Sequence, residues 1–239
     1  GELINTYGYN LEPGSKELTA LNYYTNEEIT IPLDPTQTPG ENAQRYFAKY
    51  NKQKRTFEAL TELIQETADD IQYLESISNA LDIALSEADL AQIKEELMQS
   101  GYIRRKHTKK KVKLTSKPMH YISSDGYDMY VGKNNLQNEE LTFSFANGND
   151  WWFHAKGAPG SHVIVKSGGD ELPDRTFEEA GRLAAYYSKN RGADKVEIDY
   201  VEKKQVKKPG GGKPGFVVYY TNYSMVIDSN ISQIRLCAD

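Results

Sequence analysis

The sequence predicts an α+β protein in which a long coiled-coil helical arm is followed by a compact mixed α/β C-terminal domain. Three observations support this fold class. An apolar repeat follows a helix-capping pattern at residue 38 and runs to residue 85 without Gly or Pro after position 40. A block of basic residues comes next. Short β-rich runs, turn signals and one amphipathic helix then fill residues 119–239.

Residues 1–38 are predicted to hold the end of a helix and a short β-hairpin. Apolar residues at helical spacing open the chain, and Pro13-Gly14 ends that helix. Residues 19–33 then alternate weakly, with the turn at Asn26-Glu27. Because the chain opens on a helical pattern without Met, we expect a fragment that begins inside a helix.

Residues 39–101 are predicted to form the coiled-coil arm. Thr38-Pro39-Gly40-Glu41 combines a capping box with Pro at the first helical position, so a long helix begins there. At about 1.5 Å per residue, it would reach roughly 70 Å. Thr67-Ala68-Asp69-Asp70 is a weaker alternative cap, which would fold this segment into a helical hairpin. The apolar seam steps alternately by three and four, through Phe57, Leu60, Ile64, Thr67, Ile71 and Leu74.

A second, shorter helix is predicted after the capping box Ser86-Glu87-Ala88-Asp89, ending at Gly101. It is too short to cover the whole seam of the long helix. A helix with one apolar stripe needs a packing partner. We therefore expect either upstream sequence or a second copy of the chain, in a homodimer, to cover the seam.

Residues 102–118 are predicted to be a basic linker. Such blocks repel themselves and often contact nucleic acids, although a solvated connector has the same composition. The charge of the whole chain divides near this point. Residues 1–101 carry 7 Lys and Arg against 18 Asp and Glu, and residues 102–239 carry 22 against 16. The basic side chains of the linker are Arg104, Arg105, Lys106, His107, Lys109, Lys110, Lys111, Lys113 and Lys117.

Residues 119–239 are predicted to form the C-terminal domain. Ser124-Asp125-Gly126 is a hairpin turn between two strands. The segment 136–145 is ambiguous between helix and strand. A capping box at Thr176-Phe177-Glu178-Glu179 predicts a helix that runs to about Asn190. Further strands are predicted at 151–155, 162–166, 196–201, 216–220 and 224–227.

The run from Asp150 to Val165 is the strongest functional signal. It places two Trp, two His and a Lys in a strand–turn–strand pattern, which suits a surface that stacks on bases and holds phosphates. The alternative is a core hairpin whose Trp side chains fill the interior. Strand alternation sends Trp151 and Trp152 to opposite faces, so one of them is expected to be buried.

The sequence does not predict an enzyme, a cofactor or a metal site. The four His form no HxH or HExxH pattern, and Cys237 is the only Cys, so no internal disulfide is possible and a reducing, cytoplasmic setting is expected. The Gly-rich run 207–215 lacks the spacing of a nucleotide-binding P-loop. Its exposed N–H groups and lysines would instead wrap a sugar-phosphate backbone, unless it is only a mobile solubilising loop.

Several separate motifs, in order, resemble the NFACT family. They are Gly1-Glu2-Leu3-Ile4, Leu33-Asp34-Pro35, Glu41 to Phe47, Tyr50-Asn51-Lys52, Asp125-Gly126-Tyr127, Val131 to Asn135, Asp150 to Ala155, Gly160 to Ile164, Lys207-Lys208-Pro209 and Lys213-Pro214-Gly215. The resemblance is to the coiled coil and the C-terminal RNA-binding-type domain of that family. It identifies the chain as similar to bacterial ribosome quality-control factors, also labelled fibronectin-binding protein A-like.

The resemblance implies binding of the large ribosomal subunit and tRNA during rescue of stalled ribosomes and Ala tailing. It implies no catalytic residue, because the motif that tailing needs belongs to the family's N-terminal domain. A surface adhesin that binds fibronectin is the alternative, and an enzyme using His154 and His162 is a third. The candidate RNA-binding residues are Arg104, Arg105, Lys106, Lys109, Lys110, Lys111, Lys113, Asn134, Asn135, Trp152, His154, Lys156, Ser161, His162, Lys207, Lys208 and Lys213.

Overall fold

The protein is described here by a computed structural model that covers residues 1–104 and 116–237. The chain divides into two compact units, Gly1–Asp69 and Asp70–Asp239. Within the described residues, no helix combines the length and apolar character needed to cross a bilayer.

The first unit contains a short helix, a hairpin and most of a long helix. Helix α1 (Glu2–Tyr7) and a 3-10 turn (Gly8–Asn10) precede strands β1 (Glu17–Asn22) and β2 (Glu27–Pro32), which pair antiparallel. Asn26 takes a positive φ of 56° at the end of the loop 23–26. The predicted hairpin is confirmed, but Glu27 begins β2 and does not lie in the turn. The small core of this first unit consists of Ile4, Leu18, Ala20, Ile31 and Ala43.

Helix α2 spans Pro39–Ile83 without interruption, so the alternative helical hairpin near Thr67 is not formed. The capping box is present, because the Thr38 N–H donates to Glu41 Oε2 at 2.7 Å and the Glu41 N–H donates to Thr38 Oγ1 at 3.3 Å. Several seam residues are exposed in this chain: Phe57, Leu60, Ile64, Ile71 and Leu74.

In the second unit, the end of α2 packs against α3 (Glu87–Gln99). Their shared core is Tyr73, Ile77, Ala80 and Ile93. The Ser86 capping box is confirmed, with both of its hydrogen bonds formed to Asp89. The last part of α2, from Asp70, and the whole of α3 thus belong to the same unit as the sheet that follows.

The sheet has seven antiparallel strands in the order β8-β7-β5-β6-β4-β3-β9. Between β4 and β5 the chain forms α4 (Asn135–Glu140) and a π-helical turn (Leu141–Phe145), which resolves the ambiguous segment 136–145 as helical. Helix α5 (Asp174–Tyr186) lies between β6 and β7. The strands are β3 (Met119–Ile122), β4 (Asp128–Val131), β5 (Trp151–Ala155), β6 (Val163–Val165), β7 (Val196–Glu202), β8 (Tyr223–Ile227) and β9 (Arg235–Leu236).

The two faces of this sheet have separate cores. On the α5 face, Phe153, Val163 and Val165 pack with Leu183 and Ala184 of the helix. On the opposite face, Trp152, Ile164 and Val201 pack with Leu141 of the π-helical turn and with Val206. Trp152 stands beside Ile164 and Val201 in the register, which explains why these three share a face. We call this second face, which borders a cavity, the cavity face.

Three local expectations for the C-terminal domain are wrong. Helix α5 begins at Asp174, and the Thr176 hydroxyl bonds Ser123 and Asp125 in place of closing a capping box. The helix also ends at Tyr186, before Asn190. Residues 216–220 form only one bridge, between Lys207 and Val218, because Gly215 and Pro214 hold the preceding chain in turns and not in a strand.

Candidate nucleic-acid interface

Trp152 is not the exposed stacking platform expected from the sequence. Its side chain is fully buried on the cavity face, since the π-helical turn and residues 206–219 cover this side of the sheet. Trp151 points to the α5 face and is partly exposed beside Phe177, at 4.8 Å between ring centroids. Strand alternation is therefore confirmed, and Trp152 is the buried member of the pair.

His162 is also buried, contrary to a surface role. Its Nδ1 lies 2.8 Å from Thr142 Oγ1 and 3.2 Å from the carbonyl oxygen of Asn138. Its backbone N–H donates to Asn138 Oδ1 at 2.9 Å. Burial, and next the neighbouring His154, hold the pKa of His162 well below its ordinary value, so the ring is neutral near pH 7.

His154 lies next to this ring and remains partly exposed. The two imidazole centroids are 5.4 Å apart and nearly perpendicular. Burial lowers the pKa of His154 to about 4, although a hydrogen bond to the backbone of Gly160 and the nearby Asp199 carboxylate act in the opposite sense. The two imidazoles thus meet across the turn between β5 and β6, and both rings are uncharged at neutral pH.

These two imidazoles and Trp152 line a cavity of about 200 Å³. Its other walls come from the turn at 157–160, from α4 and from the segment 215–219. The indole Nε1–H of Trp152 is buried and has no hydrogen-bond partner among the described residues. Within residues 1–104 and 116–237, no group of His, Cys, Asp and Glu has the arrangement of a metal site.

Asn134 and Asn135 are buried and hold helices together. Asn134 caps α4, since its side chain accepts from the Gln137 N–H, and its Nδ2 donates to Gln92 of α3 at 2.8 Å. Asn135 Nδ2 donates to Glu96 Oε1 at 2.8 Å and to Ser76 Oγ at 2.7 Å. Both candidates are thus buried, because their amides join α3 to the sheet domain, and Asn135 also lines the cavity.

Ser161 is likewise buried, and its backbone N–H donates to the Tyr187 carbonyl at 2.9 Å. Gly160 pairs with Ser188 in an isolated bridge next to it. These contacts fix the end of the β5–β6 turn against the end of α5. Ser161 is thus placed to hold the turn and not to contact a ligand on the surface.

The predicted lysines around the cavity are on the surface, as expected, but three of them already have acidic partners. Lys156 pairs with Glu197 at 2.5 Å, and Lys208 pairs with Glu139 at 2.6 Å. Lys213 contacts both Asp70 and the Tyr102 hydroxyl. Lys207 is exposed and takes part in no ion pair within residues 1–104 and 116–237.

Arg104 is exposed at the end of the described helical part. Six of the remaining basic candidates lie outside the described residues: Arg105, Lys106, Lys109, Lys110, Lys111 and Lys113.

Two buried carboxylates were missed by sequence reasoning. Burial alone would raise the pKa of Asp89, but hydrogen bonds from Ser116, the Leu85 backbone and Lys133 lower it to about 2. Glu96 is fully buried, and burial raises its pKa against hydrogen bonds from Asn135 and Tyr73. Only the capping position of Asp89 was visible in the sequence, because Glu96 stands in an ordinary polar helical position.

Comparison with known sequences identifies the sheet domain first. Residues 117–220 match the NFACT protein RNA binding domain, which places this part of the chain in a class of RNA-binding domains. Residues 1–116 match the NFACT N-terminal and middle domains. The chain therefore belongs to the NFACT family, as its motifs indicated.

Curated relatives match most of this chain. The chain is 46% identical over 220 residues to the Rqc2 homolog RqcH of Streptococcus pneumoniae, covering 92% of this chain and 39% of that protein. It is 41% identical over 234 residues to the Rqc2 homolog RqcH of Bacillus subtilis, covering 95% and 40%. The chain thus spans about two fifths of the length of these curated relatives.

A solved structure has the same fold. It is the C-terminal of the fibronectin/fibrinogen-binding protein from Streptococcus suis, with 44% sequence identity and a TM-score of 0.74. The similarity covers 81% of this chain and 77% of that one.

Proposed function

We propose that this chain is the RNA-binding part of a ribosome quality-control factor, which binds the large ribosomal subunit and tRNA during rescue of stalled ribosomes and Ala tailing. The observation that carries the proposal is the match of residues 117–220 to the NFACT RNA binding domain. The names of the relatives, Rqc2 homolog RqcH, support the ribosomal context. The chain would act in the cytoplasm, where ribosomes are.

The charge distribution supports RNA as the ligand. Residues 102–239 contain 22 Lys and Arg against 16 Asp and Glu, although the whole chain is acidic. Lys203 and Lys207 lie close in sequence at the end of β7 and form no ion pair within the described residues. Unpaired surface cations attract phosphates without first breaking an internal contact.

A salt series of tRNA binding tests this proposal. We expect the intact chain to bind tRNA at low salt and to lose affinity steeply as salt rises, because counterions are released from neutralised phosphates. Lys207→Gln should lower affinity and the salt slope, whereas Lys52→Gln, an exposed lysine on α2, is the matched control. No tRNA affinity at low salt, or affinity independent of salt, would contradict the proposal.

We propose that the chain carries no catalytic centre of its own. His154 and His162 are the only His pair in ring contact within the described residues, and no nucleophile accompanies them in the cavity apart from Ser76. The Ser76 hydroxyl donates to the Tyr73 carbonyl, so it is not activated by either ring. A hydrolytic activity toward tRNA that is lost in His154→Gln would overturn this proposal.

We propose that the exposed seam of α2 pairs two copies of this chain. Phe57 and Ile64 are 71% and 67% exposed, which is unusual for large apolar side chains on one helical stripe. Sedimentation equilibrium of the chain and of Phe57→Glu provides the test. A wild-type chain that remains monomeric at high concentration would exclude the homodimer.

Fibronectin binding is the second candidate, because the similar solved structure is named a fibronectin/fibrinogen-binding protein. Surface plasmon resonance on purified fibronectin, with a basic protein of matched charge as control, would test it. Saturable binding that the control protein does not reproduce would favour the adhesin over the RNA-binding proposal.

A further inference from the structure

The cavity on the cavity face has a size that fits a single aromatic ring system. Its volume is about 200 Å³. A cavity of about 150 Å³ already admits a benzene molecule. Two of the glycines that line it, Gly157 and Gly215, adopt positive φ angles of 62° and 80°, and neither adds a side chain to the wall. The cavity thus has room for a flat ligand beside the turn at 157–160 and the segment 215–219.

We propose that this cavity takes up one unstacked nucleobase from single-stranded RNA. The inference deepens the proposed function and rests on it, because it assumes that this domain binds RNA. Sequence-specific RNA recognition commonly targets splayed bases in loops and ends, which stack on aromatic or imidazole rings.

The aromatic walls support a planar ligand. The Trp152 ring centroid lies 5.2 Å from Tyr219, 5.1 Å from His162 and 5.6 Å from His154. Tyr219 is fixed in place, since its hydroxyl donates to Asp199 Oδ2 at 2.8 Å. Trp152 and His162 are buried, whereas His154 and Tyr219 keep partial exposure, so these last two rings are the ones on which a base would stack.

The polar groups around the cavity support a base with hydrogen-bonding edges. The Trp152 Nε1–H has no partner in the described part of the chain, and buried donors without a partner are rare in folded proteins. Gln72 is exposed on α2 and lines the cavity, and its amide offers both a donor and an acceptor. Bases carry both kinds of group on their edges.

The charges favour a neutral base over a phosphate. No Lys, Arg, Asp or Glu is among the described residues that line the cavity. Both imidazoles are neutral near pH 7, because burial lowers their pKa values. The cations lie outside. Lys207, which forms no ion pair within the described residues, is bridged to Val218 beside the cavity-lining Tyr219, whereas Lys156 and Lys213 would first have to leave Glu197 and Asp70. The base would thus enter the cavity while the backbone phosphates stay with the lysines.

Abasic substitution tests the inference with the intact chain. We would measure binding of RNA hairpins that present a single unpaired base, with each of the four bases in turn, and of the matching hairpin that lacks this base. We expect the loss of the base to weaken binding roughly tenfold for at least one of the four, since stacking of a single base contributes on that scale.

A blocking variant locates the effect. Gln72→Trp places a bulky ring at the mouth from an exposed helical position, and Gln53→Trp makes the same exchange at another exposed position of α2. We expect Gln72→Trp to abolish the difference between intact and abasic RNA, and Gln53→Trp to keep it. Trp152→Phe, which removes the unpaired N–H and keeps an aromatic ring, should reduce the difference. Near-ultraviolet circular dichroism checks the fold of each variant.

The outcomes separate this inference from the proposed function. If the wild-type chain binds no RNA, the proposed function fails and the inference fails with it. If the chain binds RNA but the abasic hairpin binds as tightly as every intact one, or if Gln72→Trp keeps the base-dependent gain, RNA binding stands and the nucleobase cavity is overturned.

Discussion

The two faces of the seven-stranded sheet are built from the same strands but carry different chemistry. Phe153 and Trp152 are neighbours in β5, and both are fully buried. Phe153 meets a hydrocarbon core under α5, whereas Trp152 meets two imidazoles, a tyrosine and a cavity. The comparison teaches that the pleat of one strand separates the residues that stabilise this domain from those that form its candidate binding site.

The largest expected effect comes from the α5 face. Phe153→Ala should lower the free energy of unfolding by about 3–5 kcal/mol, because it opens a void where α5 closes the core. Urea denaturation measures this loss, with Tyr220→Ala as the control, since Tyr220 is 84% exposed. A cost below about 1 kcal/mol would mean that α5 does not close this core.

Acid should lower the stability of the protein through His154 on the cavity face. The pKa of His154 is lowered to about 4 in the folded protein, so below its unfolded value the unfolded chain binds more protons. Stability therefore falls as pH drops from about 6.5 toward 4, by about 2 kcal/mol at pH 5 for this residue alone. Urea denaturation across this range measures the slope.

His154→Gln should remove part of the acid sensitivity. The buried Glu96 has the opposite pH dependence. Because its pKa is raised, its contribution to folding stability is lost as the pH increases through that pKa, and not as the pH falls. Glu96→Gln should therefore leave the loss below pH 6.5 in place. A His154→Gln protein with the wild-type slope would contradict the assignment.

Two glycines sharpen the contrast between the faces. A Cβ at Gly132 would meet Asn138 Oδ1 and lie 3.0 Å from the Asn138 backbone N, on a helix that cannot move freely. A Cβ at Gly181 of α5 would meet the flexible end of Met225. We expect Gly132→Ala to cost at least about 1 kcal/mol, and Gly181→Ala to be nearly neutral because Ala also favours the helix. Thermal denaturation of both variants would compare them directly, and equal costs would count against this contrast.

The smallest effect on stability is expected at Trp152. Trp152→Phe loses packing area but also removes a buried donor without a partner, so the net change should stay within about 1 kcal/mol. Calorimetric unfolding would measure it. A large loss would show that the indole N–H is satisfied in solution, contrary to the contacts described above.

Local signals in the sequence were reliable where their partners are local. The capping boxes at Thr38 and Ser86 and the turn at Asn26 depend on residues within a few positions, and all three are present. The Thr176 pattern has the same local form, but its hydroxyl bonds Asp125, 51 positions away, so the pattern alone could not reveal its role.

The candidate site was harder to predict for the same reason. Alternation required Trp151 and Trp152 to face opposite sides, but not which side would be covered. Asn135 was an RNA-binding candidate from a family motif, and its amide bonds Glu96, 39 positions earlier, which no local pattern could reveal. The approach of His154 and His162 was predictable because one turn separates them.

The two buried carboxylates of α3 set the alignment of that helix against the sheet domain. Asp89 stays ionised against Lys133 at 3.1 Å, and Glu96 is held by Tyr73 and Asn135 two turns further on. Sliding α3 by one turn would strand both groups in the interior, at a cost of several kcal/mol for each lost partner. The two buried carboxylates therefore specify a single register of α3 and make the registers one turn away unstable.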